Sequence, residues 1–240
     1  MKKNLILALM IPATLMWMAG CSSVVNGKEY DSNVFVKKDK AKELEVVLNV
    51  GAGKLAVSGG ASDWVEGEIQ YNVEELKPKV TYKKSGKTGK VEIEQSKKDL
   101  SGINFKNIKN DWDLELSKTV PIDLVVNTGA TETKLHLHGL KLNNLDVSSG
   151  VGNVTVDLSG DWKKSFDVDL KMGVGKSTII LPKDVGVKIK STKGIGHADF
   201  EGFISKGNDV YVNEAYEDAD VIIDVDTDLG IGEAIFKLEK

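Results

Sequence analysis

Six times along this chain an alternating strand runs into a glycine and leaves it as a second alternating strand. The units are LEVVLNVGAGKLAVSG (44–59), LVVNTGATETKLHL (124–137), LDVSSGVGNVTVDL (145–158), FDVDLKMGVGKSTIIL (166–181), VKIKSTKGIGHADF (187–200) and IIDVDTDLGIGEAIFKL (222–238). Four consecutive first glycines, Gly129, Gly150, Gly173 and Gly194, are spaced 21, 23 and 21 residues apart. A period just above 20 residues is that of a solenoid rung.

The register says what the glycine does. Before it, apolar residues sit at odd offsets, as in Val46 and Leu48, Leu124 and Val126, Leu145 and Val147, Val168 and Leu170. After it they sit at even offsets, as in Leu55 and Val57, Leu135 and Leu137, Val154 and Val156, Ile179 and Leu181, Ala234 and Phe236. Side chains alternate strictly along a strand, so an unbroken strand would turn its second apolar set outward. A corner at Gly51, Gly129, Gly150, Gly173, Gly194 and Gly230 keeps both sets inward, and glycine tolerates the positive φ a corner can require. The fold class expected is all-β: a solenoid-like, β-helix-type stack of glycine-cornered rungs in sequence order, whose rungs together bury a core none could bury alone.

Residues 64–120 break the rhythm. Trp64 to Val73 alternate as one strand. Val80-Thr81-Tyr82 and Val91-Glu92-Ile93 flank a hairpin turn at 85–89, and Asp113 to Leu116 form another strand. This reads as a meander of longer strands near the N-terminal end, with a surface loop at 96–111. The domain plan is a signal segment (1–20), a lipidated N-terminus and polar tether (21–43), and one β domain (44–240) made of a longer-strand part (44–120) and regular repeats (121–240).

The N-terminus has its own logic. Lys2 and Lys3 precede an apolar run from Leu5 to Met18, about 14 residues, which suits a signal h-region and is too short to span a bilayer. Met18-Ala19-Gly20-Cys21 resembles a bacterial lipobox. Cys21 is the chain's single cysteine, so no internal disulfide can form in an exported protein, and acylation accounts for the thiol. The expected location is extracytoplasmic, held by a lipid on Cys21 (palmitate in kind) at the cell membrane, or at an outer membrane if the source has one.

Beyond residue 20 the chain carries 30 lysines, no arginine and 36 acids, a net charge of −6. The lack of arginine and the acidic balance argue against nucleic acid as a partner.

The fold-bearing residues resemble those of the toast-rack family of bacterial envelope proteins: Asn49-Val50-Gly51-Ala52-Gly53 with Leu55 and Val57, Ser58-Gly59-Gly60-Ala61, Trp64, Tyr71-Asn72-Val73, Trp112 with Leu114 and Leu116, Pro121-Ile122-Asp123-Leu124, and Leu145-Asp146-Val147 with Gly150-Val151-Gly152. The resemblance spans about residues 40–238. Related domains occur in proteins that respond to cell-wall-active antibiotics and in adhesin-like proteins, so it implies an envelope-stress or surface-contact role. Fold alone does not assign chemistry.

No motif supplies chemistry. Gly173-Val174-Gly175-Lys176-Ser177-Thr178 imitates a phosphate loop but lacks the first glycine, where Leu170 stands, and a strand follows it; nucleotide is not expected. His136 and His138 share a strand face without a third ligand, since His197 falls in another column. Asp224, Asp226 and Asp228 imitate a calcium loop, but its glycine and glutamate positions hold Leu229 and Ile235. These residues leave metal binding open, and no metal site or cofactor is assigned. There is no nucleophile elbow, no catalytic residue is assigned, and the chain is read as non-enzymatic. Trp64, Tyr71, Tyr82, Trp112 and Trp162 belong either to the core or to a glycan- or protein-binding surface. The expected function is a lipid-anchored envelope scaffold that binds a protein, with an adhesin-like or glycan-binding protein as the alternative and a hydrolase third.

Overall fold

The structure, a computed structural model, describes residues 28–96 and 108–240. The expected signal segment, Cys21 and most of the 96–111 loop lie outside the described residues. Among the described residues thirteen strands form one sheet: β1 (Tyr30–Val36), β2 (Glu43–Gly59), β3 (Val65–Tyr71), β4 (Pro78–Ser85), β5 (Thr88–Gln95), β6 (Asn110–Leu116), β7 (Pro121–His136), β8 (Lys141–Asp157), β9 (Phe166–Leu181), β10 (Gly186–Glu201), β11 (Ile204–Gly207), β12 (Val210–Val212) and β13 (Ile222–Leu238).

Chain length forces the shape of each rung. β7 ends at His136, yet Lys141, the first residue of β8, pairs in parallel with Pro121 at the start of β7. Five peptide steps reach about 18 Å at most, while a straight 16-residue strand runs about 50 Å. The long strand must therefore fold at its glycine and bring its two arms face to face. First arms make one wall and second arms the other, and the parity switch points both apolar sets into the space between. Val46, Leu48, Leu55 and Val57 of β2 are all buried, as are Leu145, Val147, Val154 and Val156 of β8. Leu135, Val156 and Ile179 form one fully buried ladder, and Leu137, Leu158 and Leu181 a second. Each such side chain contributes about 1.5–3 kcal/mol by leaving water.

Three expectations need correction. The rungs do not follow sequence order: the stack runs β2-β7-β8-β9-β13-β10, so β13 sits between β9 and β10. Gly150 and Gly173 are neighbours, and Gly230 separates Gly173 from Gly194. Next, the meander strands are short. β4 and β5 extend only the first wall beyond β2, and β6, β3 and β1 extend only the second, so each is half a rung. Finally, residues 30–36, assigned to the tether, form β1 on β3, with Val34 and Val36 buried. The polar run Asp31-Ser32-Asn33 hides this strand because only two of its residues are fully buried.

The corner divides its work between two glycine columns. The first glycine is needed for closeness: a Cβ on Gly173 would sit 2.2 Å from the carbonyl oxygen of Gly150 on the next rung. The positive φ belongs to the second glycine, as at Gly175 (φ 142°). In β7 this second position is Thr131, whose hydroxyl is hydrogen-bonded to that of Thr133 at 2.9 Å.

A stack of rungs needs ends. At one end Gln95 Oε1 accepts from the N–H groups of Gly51 and Ala52, and Asn110 Nδ2 donates to the same oxygen and to the Ala52 carbonyl. Trp112 Nε1 in turn donates to Asn110 Oδ1 at 2.8 Å. At the other end the buried Asn213 accepts from Val187 N–H at 2.9 Å and donates to the Val185 carbonyl at 2.7 Å. Tyr211 stacks on Phe200, centroids 3.6 Å apart, and Phe200 on Phe236.

Candidate interaction surface

Parallel, in-register rungs turn each outward position into a row of side chains about 4.8 Å apart. On the first wall one row reads Val47, Val125, Asp146, Asp169, Asp226, Lys190. The row beside it reads Glu45, Asp123, Asn144, Asp167, Asp224, Lys188. Carboxylates thus stand on carboxylates through the middle of the stack. Lys188 and Lys190 neutralise Asp224 and Asp226 at the β10 end, at 2.7 and 3.8 Å, and Asn144 donates to Asp123 at 3.1 Å. Asp146, Asp167 and Asp169 form no ion pair with a described residue. Partial burial, then the charges of Asp169 and Asp123, hold the Asp146 carboxyl above its ordinary value against the pull of Lys171.

The corner edge carries three rows. The central one, between the two glycine columns, is Ala52, Ala130, Val151, Val174, Ile231, Ile195. Its four large members are 46–73% exposed. The outward row on one side is Asn49, Asn127, Ser148, Lys171, Asp228, Thr192, and on the other Lys54, Glu132, Asn153, Lys176, Glu233, His197; both are polar throughout. On the outer face of the second wall a hollow of about 320 Å³ gathers Glu68, Asp111, Asp113 and Glu132 round Lys54 and Lys134. Lys134, by its hydrogen bond and its charge, draws the Glu132 carboxyl below its ordinary value.

The residues weighed for chemistry are dispersed. Gly173 to Thr178 are a corner and its outgoing strand. Asp224 and Asp226 are outward residues of β13 with lysine partners, while Val225 and Thr227 face in. His136 lies 3.7 Å from Asp157, His138 is exposed in the following turn, and His197 contacts Asp199 at 2.8 Å. Among the described residues no group of three His, Cys, Asp or Glu side chains could hold a metal ion. Trp64, Tyr71, Trp112 and Trp162 are buried, and Tyr82 is half-buried against the core, so these five take the core alternative. Sequence reasoning missed Gln95, Asn110 and Asn213, single amides with no periodic signal. It also missed the outward rows, although the parity rule combined with the glycine alignment contains them.

Among the described residues no helix is long and apolar enough to cross a membrane. The family model for the N-terminal domain of toast_rack, DUF2154, matches residues 25–180. A crystal structure of a candidate cell adhesion protein from Clostridium sporogenes is similar over 88% of this chain and 100% of that one, with 33% identity and a TM-score of 0.86. A candidate adhesin from Bacteroides fragilis aligns over 90% of this chain and 99% of its own, but at 14% identity and a TM-score of 0.32 it is too distant to bear on this chain. No curated protein matches. The two-walled stack, the match over residues 25–180 and the full-length likeness to the Clostridium sporogenes structure agree: this chain belongs to the toast-rack family.

Proposed function

We propose that the protein is a lipid-anchored, extracytoplasmic binding scaffold of the bacterial envelope, and that it meets a basic protein surface with the acidic face of its first wall. One observation carries this reading: Asp146, Asp169 and Asp226 stand in register on adjacent rungs, and the first two form no ion pair with a described residue. Like charges directly opposed in a sheet are destabilising. A row of them on an outer face favours a partner that brings positive charge, and complementary charge speeds and orients such an encounter. The scattering of His, Asp and Lys groups over separate faces supports binding over catalysis. The lipobox-like Met18-Ala19-Gly20-Cys21 supports the anchor, and the family supports an envelope-stress or surface-contact setting. The 33% identity to a candidate cell adhesion protein favours a second version, in which the partner lies on another cell.

Cross-linking and pull-down from intact membranes, comparing wild type with Asp146→Asn/Asp169→Asn, tests the face. Loss of a specific partner is expected, and an unchanged set of partners would refute it. Capture by the producing cells alone favours a scaffold within the envelope, whereas binding to separate cells or their glycans favours adhesion. For the anchor, Cys21→Ser should abolish labelling by a fatty-acid analogue; equal label in both proteins would sink it.

A further inference from the structure

The central row of the corner edge differs in kind from its neighbours. Outward positions on both sides are polar on every rung, yet all six positions of this row are apolar, and Val151, Val174, Ile231 and Ile195 follow one another on adjacent rungs with 54, 46, 52 and 73% exposure. Single exposed apolar residues need no explanation, but a contiguous exposed row marks a contact surface. The row runs along the stack axis as a ridge, with nothing of the described chain over it.

The position of the N-terminal entry says what it meets. Tyr30 pairs with Tyr71, Tyr71 with Asn110, and Asn110 lies beside Gly53, so the start of β1 is on the corner edge. The entry is pinned there: the Tyr30 and Tyr71 rings stack at 5.2 Å, and Glu29 pairs with Lys109 at 2.9 Å. Cys21 lies seven residues before Lys28, a span of about 25 Å at full extension. Building on the anchoring reading above, we propose that the Val151-Val174-Ile231-Ile195 ridge rests on the bilayer that holds the Cys21 lipid, so that the stack lies along the membrane with its corner edge down. Apolar side chains in the headgroup region gain by leaving water, and a polar face on either side keeps them at that depth. Lysines and acids mix in the flanking rows, so the contact is apolar in origin and weakly dependent on lipid charge.

The test uses the full-length acylated protein in vesicles of phosphatidylglycerol and phosphatidylethanolamine. Acylated Cys21 leaves no competing thiol, so Val174→Cys and Lys134→Cys can each carry an environment-sensitive fluorophore. The expected result is co-flotation with vesicles, with blue-shifted emission quenched by spin-labelled lipid at position 174 and neither effect at 134. A probe at Ala130→Cys should lose at least about threefold of its quenching when Val151, Val174, Ile231 and Ile195 are all changed to serine, with the far-ultraviolet dichroism unchanged. Protein that floats while the probe at 174 stays in water would overturn the docking and leave the anchor standing. Protein that does not float would remove both. A blue shift that spin-labelled lipid leaves untouched, and that vanishes as the protein is diluted in the bilayer, would make the ridge a contact between copies and overturn the proposal.

Discussion

Gln95 Oε1 accepts the backbone N–H of Gly51 at 2.9 Å, and with that bond a ladder ends. Every other first-column glycine has the carbonyl of a neighbouring glycine beneath it; Gly51 has a side-chain amide. Gln95→Leu would take the acceptor from the part-buried N–H groups of Gly51 and Ala52 and from the buried Asn110 amide. A lost acceptor of this kind costs about 1–3 kcal/mol. We expect a destabilisation of about 2–3 kcal/mol in denaturant melts, with hydrogen exchange speeding up first at 50–53. A loss below about 0.5 kcal/mol would mean that water caps this end equally well.

The inward ladder and its outward neighbour give a paired test. Val156 is fully buried and Thr155 is not. Val156→Ala removes packed methyls and leaves a cavity, at about 1–3 kcal/mol, whereas Thr155→Ala should stay within about 0.5 kcal/mol. The Val156 loss should loosen β7 and β9 before more distant rungs, because stability in a stack resides in neighbouring interfaces. Equal losses in the two variants would contradict the inward assignment.

The two glycine columns should fail for different reasons. Gly173→Ala places a methyl 2.2 Å from the Gly150 carbonyl oxygen. Gly175→Ala both clashes with the Gly152 carbonyl at 1.9 Å and forces φ near 142° on an L-residue. Each should cost about 2–4 kcal/mol. Gly86→Ala, in the β4–β5 turn with open space around it and φ 60°, should cost only about 1 kcal/mol. Thermal melts of the three variants check the order; a benign Gly173→Ala would show that the rungs can spread.

Asp146 supplies a pH signature. Its folded-state pKa is raised, with burial the main cause and the neighbouring aspartates second. Between its unfolded and folded values the native chain binds more protons, so stability falls as pH rises through that window. Below it wild type and Asp146→Asn should match; above it the variant should be slightly more stable, by up to about 0.5 kcal/mol for so exposed a group. The difference should shrink in 1 M salt, where charges are screened within about 3 Å. A variant less stable at neutral pH would mean that the carboxylate is stabilised in place.

The glycine spacing and parity switch make the two-armed rung and the buried ladders legible, because strand alternation is strict and a corner must reset it, while the toast-rack resemblance rests on the motif residues between Asn49 and Gly152. Rung order was not legible. Units 187–200 and 222–238 share one local grammar, and their placement depends on end contacts, the Phe236–Phe200–Tyr211 stack and the amide of Asn213, which no periodicity encodes. β1 was missed because an edge strand with two buried residues resembles a tether. The aspartate rows and the apolar ridge lie within the glycine alignment, but the order of their members along the stack follows from the strand order, which that alignment does not contain.

The insertion of β13 has a consequence for how the protein is made. During synthesis β9 emerges long before β13, and β10 emerges between them. Val168 of β9 must wait for Val225, whereas its other partner, Leu145, is already present. Pairing of β9 directly with β10 would follow the order of emergence but would leave β13 without its slot. Long-range parallel pairing is slow, so β10 and its end cap have no correct place until β13 has crossed. A nascent or truncated chain would therefore stop at the rung of β9 with an open, aggregation-prone edge. The last two rungs of the stack thus form only when the chain through β13 is available.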